Sequence, residues 1–240
     1  MVFVVVGILA IVQSLFGVGL LVFGTPTLLL MGYPFSDALA VLLPASMAVS
    51  LLQLWKGPKI DRQFATQLVV WCLVPLAFAL ALVLILHLQT GLNMAVALAL
   101  AIFVILRSIP VLGENTRFWV SRHQRFWLVL MGTVHGMSNL GGGLLTILAA
   151  SRHSEKEHIR HLIAVCYSCF AVIQLGVLAA LSPEVFGWSQ FAYAATSAIV
   201  YLAIGQFAFR WVSALVFNWL FTGFMAAYSI ILGLRAFKIF

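Results

Sequence analysis

The stretch H-G-M-S-N-L-G-G-G-L-L-T, His135 to Thr146, sits inside an apolar run from Phe126 to Ala150 where a plain membrane helix would carry Leu, Ile and Phe. Three consecutive glycines, Gly141 to Gly143, cost roughly 1 kcal/mol each against Ala in a helix interior. Ser138 and Asn139, just before them, offer side-chain hydrogen bonds that compete with the helical backbone. The pattern predicts an unwound stretch at membrane depth. Lipid cannot satisfy free backbone groups, so such a stretch persists only where protein buries it or water reaches it, the setting in which transporters build binding sites.

The surrounding chain is of a membrane kind. Of its 240 residues, 64% are hydrophobic and only 8% charged, and the mean hydropathy is +1.13, which leaves too little polar surface for a soluble domain. The apolar runs are separated by short polar gaps, so the sequence predicts an all-α integral membrane protein with a single membrane domain over residues 1–240. A formal charge of +7 would suggest nucleic acid in a soluble protein. Here Lys and Arg gather in short loops, where the positive-inside bias accounts for them, and nucleic acid is set aside as a partner. The opening M-V-F-V-V-V-G has no basic n-region or cleavage site and is read as part of the mature fold. Cys72, Cys166 and Cys169 lie in apolar runs, and the C-x-x-C of the last two has no second pair to complete a metal site. All three are read as packing residues.

The chain divides into two halves. Residues 2–31 are apolar but interrupted at F-G-V-G, Phe16 to Gly19, and at G-T-P, Gly24 to Pro26, where proline removes a backbone donor. A helix from about Ser36 to Trp55 carries Ser46, Ser50 and Gln53. The basic loop Lys56 to Arg62 follows, and then two plain spans, Ala65 to Leu88 and Leu92 to Leu106. The segment Arg107 to Arg125 holds four arginines against Glu114 alone and reads as a cytoplasmic joint. After it the pattern restarts, with the glycine break, the polar loop Ser151 to His161, a helix from Leu162 to Leu181 with Tyr167, Ser168 and Gln174, and spans at Trp188 to Phe209 and Ser213 to Phe237. Repeat 1 is assigned to residues 1–110, the connecting loop to 107–125 and repeat 2 to 126–240. F-G-V-G-L-L at Phe16 to Leu21 matches L-G-G-G-L-L at Leu140 to Leu145 with an offset of 124 (Gly17 to Gly141), and Gln53 matches Gln174 with an offset of 121.

Charge suggests how each broken segment lies. If both cross the membrane, Arg152, Lys156, Arg160 and Arg210 fall outside, four of the thirteen basic residues. If each enters and returns as a hairpin, those four move inside and only Arg235 and Lys238 remain outside. The hairpin fits the positive-inside rule better. A hairpin plus three crossings is an odd number, so the two repeats are expected to be inverted relative to each other.

Broken helices expose backbone N–H groups and positive helix ends, an arrangement that suits an anion. The expected binding set is Gly17, Gly19 and Thr25 from the first break, Ser46 and Gln53 from the helix after it, and Ser138, Asn139, Gly141, Gly142, Gly143 and Gln174 from the second half, with Thr146 as a further neutral donor. No interrupted segment carries an acid, which speaks against a cation carrier. His135, at the edge of the break, is a candidate for proton coupling because imidazole titrates near neutral pH. Gly132 and Gly136 form a G-x-x-x-G read as packing. His153, His158 and His161 lie in a loop dense in Lys and Arg and are read as solvated, so no metal and no cofactor are expected. No nucleophile, acid and base constellation emerges; His87 stands alone in an apolar span. The reading is a carrier; the alternatives are a passive channel, since glycine-lined re-entrant loops also build filters, and, as a minor reading, an intramembrane enzyme.

These features resemble the sulfite exporter TauE/SafE family over nearly the whole chain. The resemblance rests best on G-L-L-V-F-G-T-P-T-L-L-L-M-G at Gly19 to Gly32 and N-L-G-G-G-L-L at Asn139 to Leu145. It implies a bacterial inner-membrane protein that moves sulfite, sulfonates or related organic anions, with a small anionic substrate and the lipid bilayer as partners and a homo-oligomer left open. The sequence departs from the family pattern in the first half, where G-V-G stands at Gly17 to Gly19 in place of three glycines. The second loop also lacks a Gly-Pro-rich finish.

Overall fold

Two residues in the described chain end a helix by turning left-handed with a polar neighbour four residues behind. Gly17 (φ 73°) caps α1, Val2–Phe16, and donates its N–H to the Gln13 carbonyl. Asn139 (φ 63°) caps α5, Gln124–Ser138, and donates to the His135 carbonyl. After each turn a short helix leaves the break: α2, Leu20–Leu30, and α6, Gly142–Arg152. The computed structural model describes residues 1–54, 60–86 and 118–211, with isolated positions at 223, 226, 227, 230, 231 and 234. Loop residues 55–59, the predicted span Leu92 to Leu106, His87, residues 107–117 of the connecting loop and most of the span Ser213 to Phe237 lie outside the described residues.

Within that range every regular element is helical. Among the described residues four helices are long and apolar enough to cross a membrane: α3, Phe35–Leu54; α4, Arg62–Ile85; α7, Lys156–Leu181; and α8, Ser189–Phe209. Helix α3 is the central one, with 61% of its apolar window buried against 17% for α8. Asp61 starts α4 by accepting the backbone N–H of Gln63 at 3.2 Å and of Phe64 at 3.3 Å, a cap worth about 1 kcal/mol.

The two broken segments have the same dimensions. Helices α1 and α5 are 15 residues each, and α2 and α6 are 11 residues each. Each second-half helix begins 122 residues after its counterpart, Gln124 after Val2 and Gly142 after Leu20. The helix ends thus set Gly17 over Asn139 and Gly19 over Gly141, a register two residues away from the glycine-on-glycine match in the sequence.

An 11-residue arm is roughly 16 Å long, about half of a ~30 Å hydrocarbon core. The arms run back along each other. A side chain on Gly24 of α2 would lie 3.2 Å from Leu9 of α1. In the second segment, Arg152 at the end of α6 donates to Gln124 Oε1 at the start of α5 (2.8 Å), and its guanidinium sits 4.5 Å over the Phe64 ring at the start of α4. At the other tip, Gly17 lies against Ile163, and Arg160 Nη1 reaches the Ser14 carbonyl at 3.4 Å, both near the start of α7. The start of α1 is elsewhere, with Phe3 4.7 Å from Tyr193 near the start of α8.

Two sequence expectations change in detail. Unwinding in the second break is confined to Asn139–Gly141, because helix α6 restarts at Gly142 and takes in Gly143. The G-T-P interruption is absent, since α2 runs through Pro26. In so short a helix the proline forfeits a single bond, to the Val22 carbonyl, and Thr27 Oγ1 ties back to the Phe23 carbonyl at 2.5 Å.

Helix α4 widens into a π turn at Val69–Leu73, just before Pro75. The proline ring crowds the carbonyl of Trp71, and a wider turn relieves that crowding. Helix α8 widens likewise at Tyr201–Gly205. Each π turn receives the first arm of the other half's broken segment. Gly132 of α5 presses on the Cys72 carbonyl and Gly136, one turn on, on the Leu76 carbonyl, while Gly205 of α8 presses on the Ser14 side chain of α1. The G-x-x-x-G is therefore a helix–helix contact in which backbone meets backbone. Gly132→Val is expected to destabilise the folded protein by about 2 kcal/mol or more, because the new side chain meets a carbonyl that cannot yield. A lowered denaturant midpoint in detergent micelles checks this, with Gly176→Ala, where a Cβ meets nothing within 4 Å, as the neutral comparison.

Candidate functional site

The left-handed turn at Asn139 directs its amide towards the other broken segment. Asn139 Nδ2 donates to Thr25 Oγ1 of α2 at 2.8 Å, and Gln174 Nε2 of α7 approaches Asn139 Oδ1 at 3.4 Å. All three side chains are fully buried. Gly142, the first residue of α6, abuts the Tyr167 hydroxyl so closely that a Cβ would overlap it. Tyr167 lies two helical turns before Gln174 and so shares its face of α7. The His135 ring packs on the same side, 4.6 Å from Phe170 and 5.9 Å from Tyr167 between ring centres, with the Gln174 amide as its polar neighbour.

This cluster is not hydrogen-bonded to completion. Among the described residues, the Tyr167 hydroxyl, both His135 ring nitrogens and Gln174 Oε1 are buried without a well-formed hydrogen bond, the Gln174 amide being the polar group nearest the His135 ring. Each such group costs roughly 1–3 kcal/mol when left unmade. Native structures keep few of them, and a group of four atoms around one helix start marks a place where a ligand or water completes the set.

The first break is built differently. Gln13, four residues before Gly17, donates through Nε2 to the Ser46 carbonyl (3.0 Å) and to Ser50 Oγ (3.1 Å), and accepts from Ser46 Oγ (3.0 Å). Gln53 Nε2 donates to the Gln13 carbonyl at 3.3 Å. Only Gln53 Oε1 is left over in this cluster. Gly19 belongs here by close approach, since a Cβ would lie 2.6 Å from the Gln13 nitrogen.

The predicted residues thus fall into two groups. Thr25, Asn139, Gly142, Gln174 and His135 come together with Gly141, whose Cβ position lies 2.5 Å from that of His135. Gly17, Gly19, Ser46 and Gln53 form the second group around Gln13. Ser138 and Thr146 are spent locally, on the Val134 carbonyl at 2.7 Å and the Gly143 carbonyl at 2.7 Å, and Gly143 closes the turn by donating to the Leu140 carbonyl at 3.3 Å. Gln13, Ser50 and Tyr167 were not in the predicted set. Gln13 was detectable as a polar residue four before Gly17, the place His135 takes before Asn139. Tyr167 was detectable as a hydroxyl seven residues before Gln174.

The buried polar residues of the described chain include no Asp, Glu, Lys or Arg. The site therefore offers neutral donors and the positive end of α6 to whatever occupies it, and no charge that would attract a cation. Among the described residues no group of three His, Cys, Asp or Glu could hold a metal ion. His158 Nδ1 lies 3.1 Å from Glu155, and the His153 and His158 rings are 5.7 Å apart. Asn139→Leu is expected to cost about 3 kcal/mol, from two lost hydrogen bonds and a side chain forced into the left-handed region. Asn139→Gly keeps the turn but loses the same two hydrogen bonds, and is expected to cost about 2 kcal/mol, the difference being the backbone strain alone. Denaturant midpoints of the two variants measure the difference.

The chain matches the family model "Sulfite exporter TauE/SafE" over residues 2–232. No curated protein and no solved structure matches it. The match covers nearly the whole of a chain already marked by four apolar helices and two helical breaks, and the protein belongs to the sulfite exporter TauE/SafE family.

Proposed function

We propose that the protein is a secondary transporter that carries a small anion, sulfite or a sulfonate, across the bacterial inner membrane by alternating access. Family membership implies a multi-pass membrane protein that exports sulfite or a related anion; the binding mode, mechanism and arrangement of the halves are inferred from the chain itself. The observation that carries the reading is the unpartnered set at the second break: the Tyr167 hydroxyl, the His135 nitrogens and Gln174 Oε1 beside the start of α6. A sulfite oxygen set between Tyr167 and His135 takes a hydrogen bond from each, and the α6 terminus adds a favourable field. With the anion bound, a proton on His135 offsets its charge in an interior where no other ion is buried among the described residues, and His135 is the candidate for coupling.

The halves are read as inverted hairpins. The contact of Arg152 with Gln124 supports a second hairpin whose ends share a side with the start of α4. The contact of Gly17 with Ile163 supports a first hairpin whose tip points towards that same side. Thr25 and Asn139 then join the hairpins across the middle, and movement of one against the other opens the site alternately.

In proteoliposomes, Tyr167→Phe and Gln174→Leu are expected to weaken sulfite counterflow roughly 10-fold or more, the value of one hydrogen bond to a charged ligand. Ser50→Ala, at the first break, leaves it within a few-fold. Equal losses in both groups count against a site at the second break, and flux without counterflow identifies a channel. His135→Gln is expected to retain downhill flux and lose its response to an imposed pH gradient. For the topology, Glu184→Cys is expected to react with a membrane-impermeant maleimide added outside whole cells and Ser154→Cys only after lysis; the opposite pattern excludes the inverted hairpins.

A further inference from the structure

At the foot of the second broken segment, where α4 and α5 both begin, lies a cleft of about 530 Å³. It is lined by Gln63 and Gln67 of α4 and by Arg122, Gln124, Arg125 and Phe126 at the start of α5. Among the described residues that line it none is acidic. The nearest cap carboxylate, Asp61, is occupied by the N–H groups of Gln63 and Phe64. Among the described residues neither Arg122 nor Arg125 has a carboxylate within ion-pair distance. One side of the cleft is fixed by a chain of side-chain bonds: Arg152 Nη1 to Gln124 Oε1 at 2.8 Å, then Gln124 Nε2 to Gln67 Oε1 at 2.7 Å. Arg125 stands 5.7 Å over the Trp71 ring.

The apolar surroundings give the cleft its second character. Phe126, in the lining, is 58% exposed; Trp71, under Arg125, is 38% exposed and its chain neighbour Val70 48%. Exposed apolar side chains on a membrane helix face acyl chains, and aromatic residues beside cations mark the headgroup level. A free phosphate has use for the two guanidinium groups but none for the aromatic wall. A lipid with a charged head and two apolar tails has use for both.

We propose that this cleft is a binding site for an anionic phospholipid, its phosphate between Arg122 and Arg125 and its acyl chains along Phe126, Trp71 and Val70. The charge bias places this end of α4 and α5 at the cytoplasmic leaflet, where polybasic sites recognise anionic headgroups. The lipid occupies the angle between α4 and the base of the α5–α6 segment. It braces the foot of that segment through Gln124 and Arg152, at the end opposite the Asn139 turn.

The test uses the full-length protein in neutral detergent, with short-chain phosphatidylglycerol, short-chain phosphatidylcholine and inorganic phosphate as separate additions. Phosphatidylglycerol is expected to raise the thermal midpoint and to be retained as a bound lipid in native mass spectra. Phosphatidylcholine and inorganic phosphate at equal concentration leave the midpoint unchanged. In R122Q/R125Q the apparent affinity for phosphatidylglycerol falls about 30-fold, from the usual contribution of two surface cations to anionic lipid. R122K/R125K retains it within a few-fold, and K156Q, at a cationic position outside the cleft, is unaffected. Retention of phosphatidylglycerol by R122Q/R125Q at wild-type affinity overturns the site. Equal binding of phosphatidylcholine overturns the charge recognition, and equal stabilisation by inorganic phosphate overturns the assignment to lipid.

Discussion

The bond between Asn139 and Thr25 joins two helix breaks that hydrocarbon could not otherwise tolerate. An unwound backbone at membrane depth needs partners from protein; the capping residue of each break donates to the carbonyl of a polar residue one turn before it, and the side chain of that residue packs on the long helix that follows. Gln13 and α3 serve the first break, and His135 and α7 stand in the same places at the second. Asn139 then reaches from the second break to α2 of the first. Remove that link and each break would have to close on its own resources, which the second lacks.

The two breaks resemble each other in length and differ in completion. Around Gln13 nearly every donor and acceptor is matched at about 3 Å. Around His135, aromatic rings replace the serines, and polar atoms are left without partners. A matched cluster specifies a geometry and resists change; an unmatched one holds free energy for a ligand. The contrast separates a break whose polar atoms are nearly all matched from one where several are not. This is a different arrangement from a site shared equally by two glycine turns, which the glycine pattern by itself suggests.

Much of this was legible in the sequence because glycine and charge are strong signals. Glycine runs inside apolar segments located both breaks, and the short basic gaps marked off the apolar spans. The register was harder to read. Glycine-on-glycine matching put Gly17 over Gly141, whereas the left-handed cap is Gly17 in one half and Asn139 in the other. Both residue types tolerate that conformation, so the chemistry of the turn, and not the identity of its residue, is what corresponds. Ser138 and Thr146 misled for a related reason: hydroxyls in helices often bond to a carbonyl three or four residues back, which sequence does not distinguish from aiming into a site. Tyr167 was overlooked because its role depends on Gly142 arriving from another helix. No pattern local to α7 records that approach.

The π turns carry a consequence for how the protein is made. Helix α4, from the first half of the chain, receives α5 of the second, and helix α8, from the second half, receives α1 of the first. The halves are laced together, so neither can be completed alone. Helix α1 finds its seat on Gly205 only after nearly two hundred further residues have been made. Until then its apolar arms need a temporary host, in the insertion machinery or in lipid, and this contact closes from α8 back onto α1.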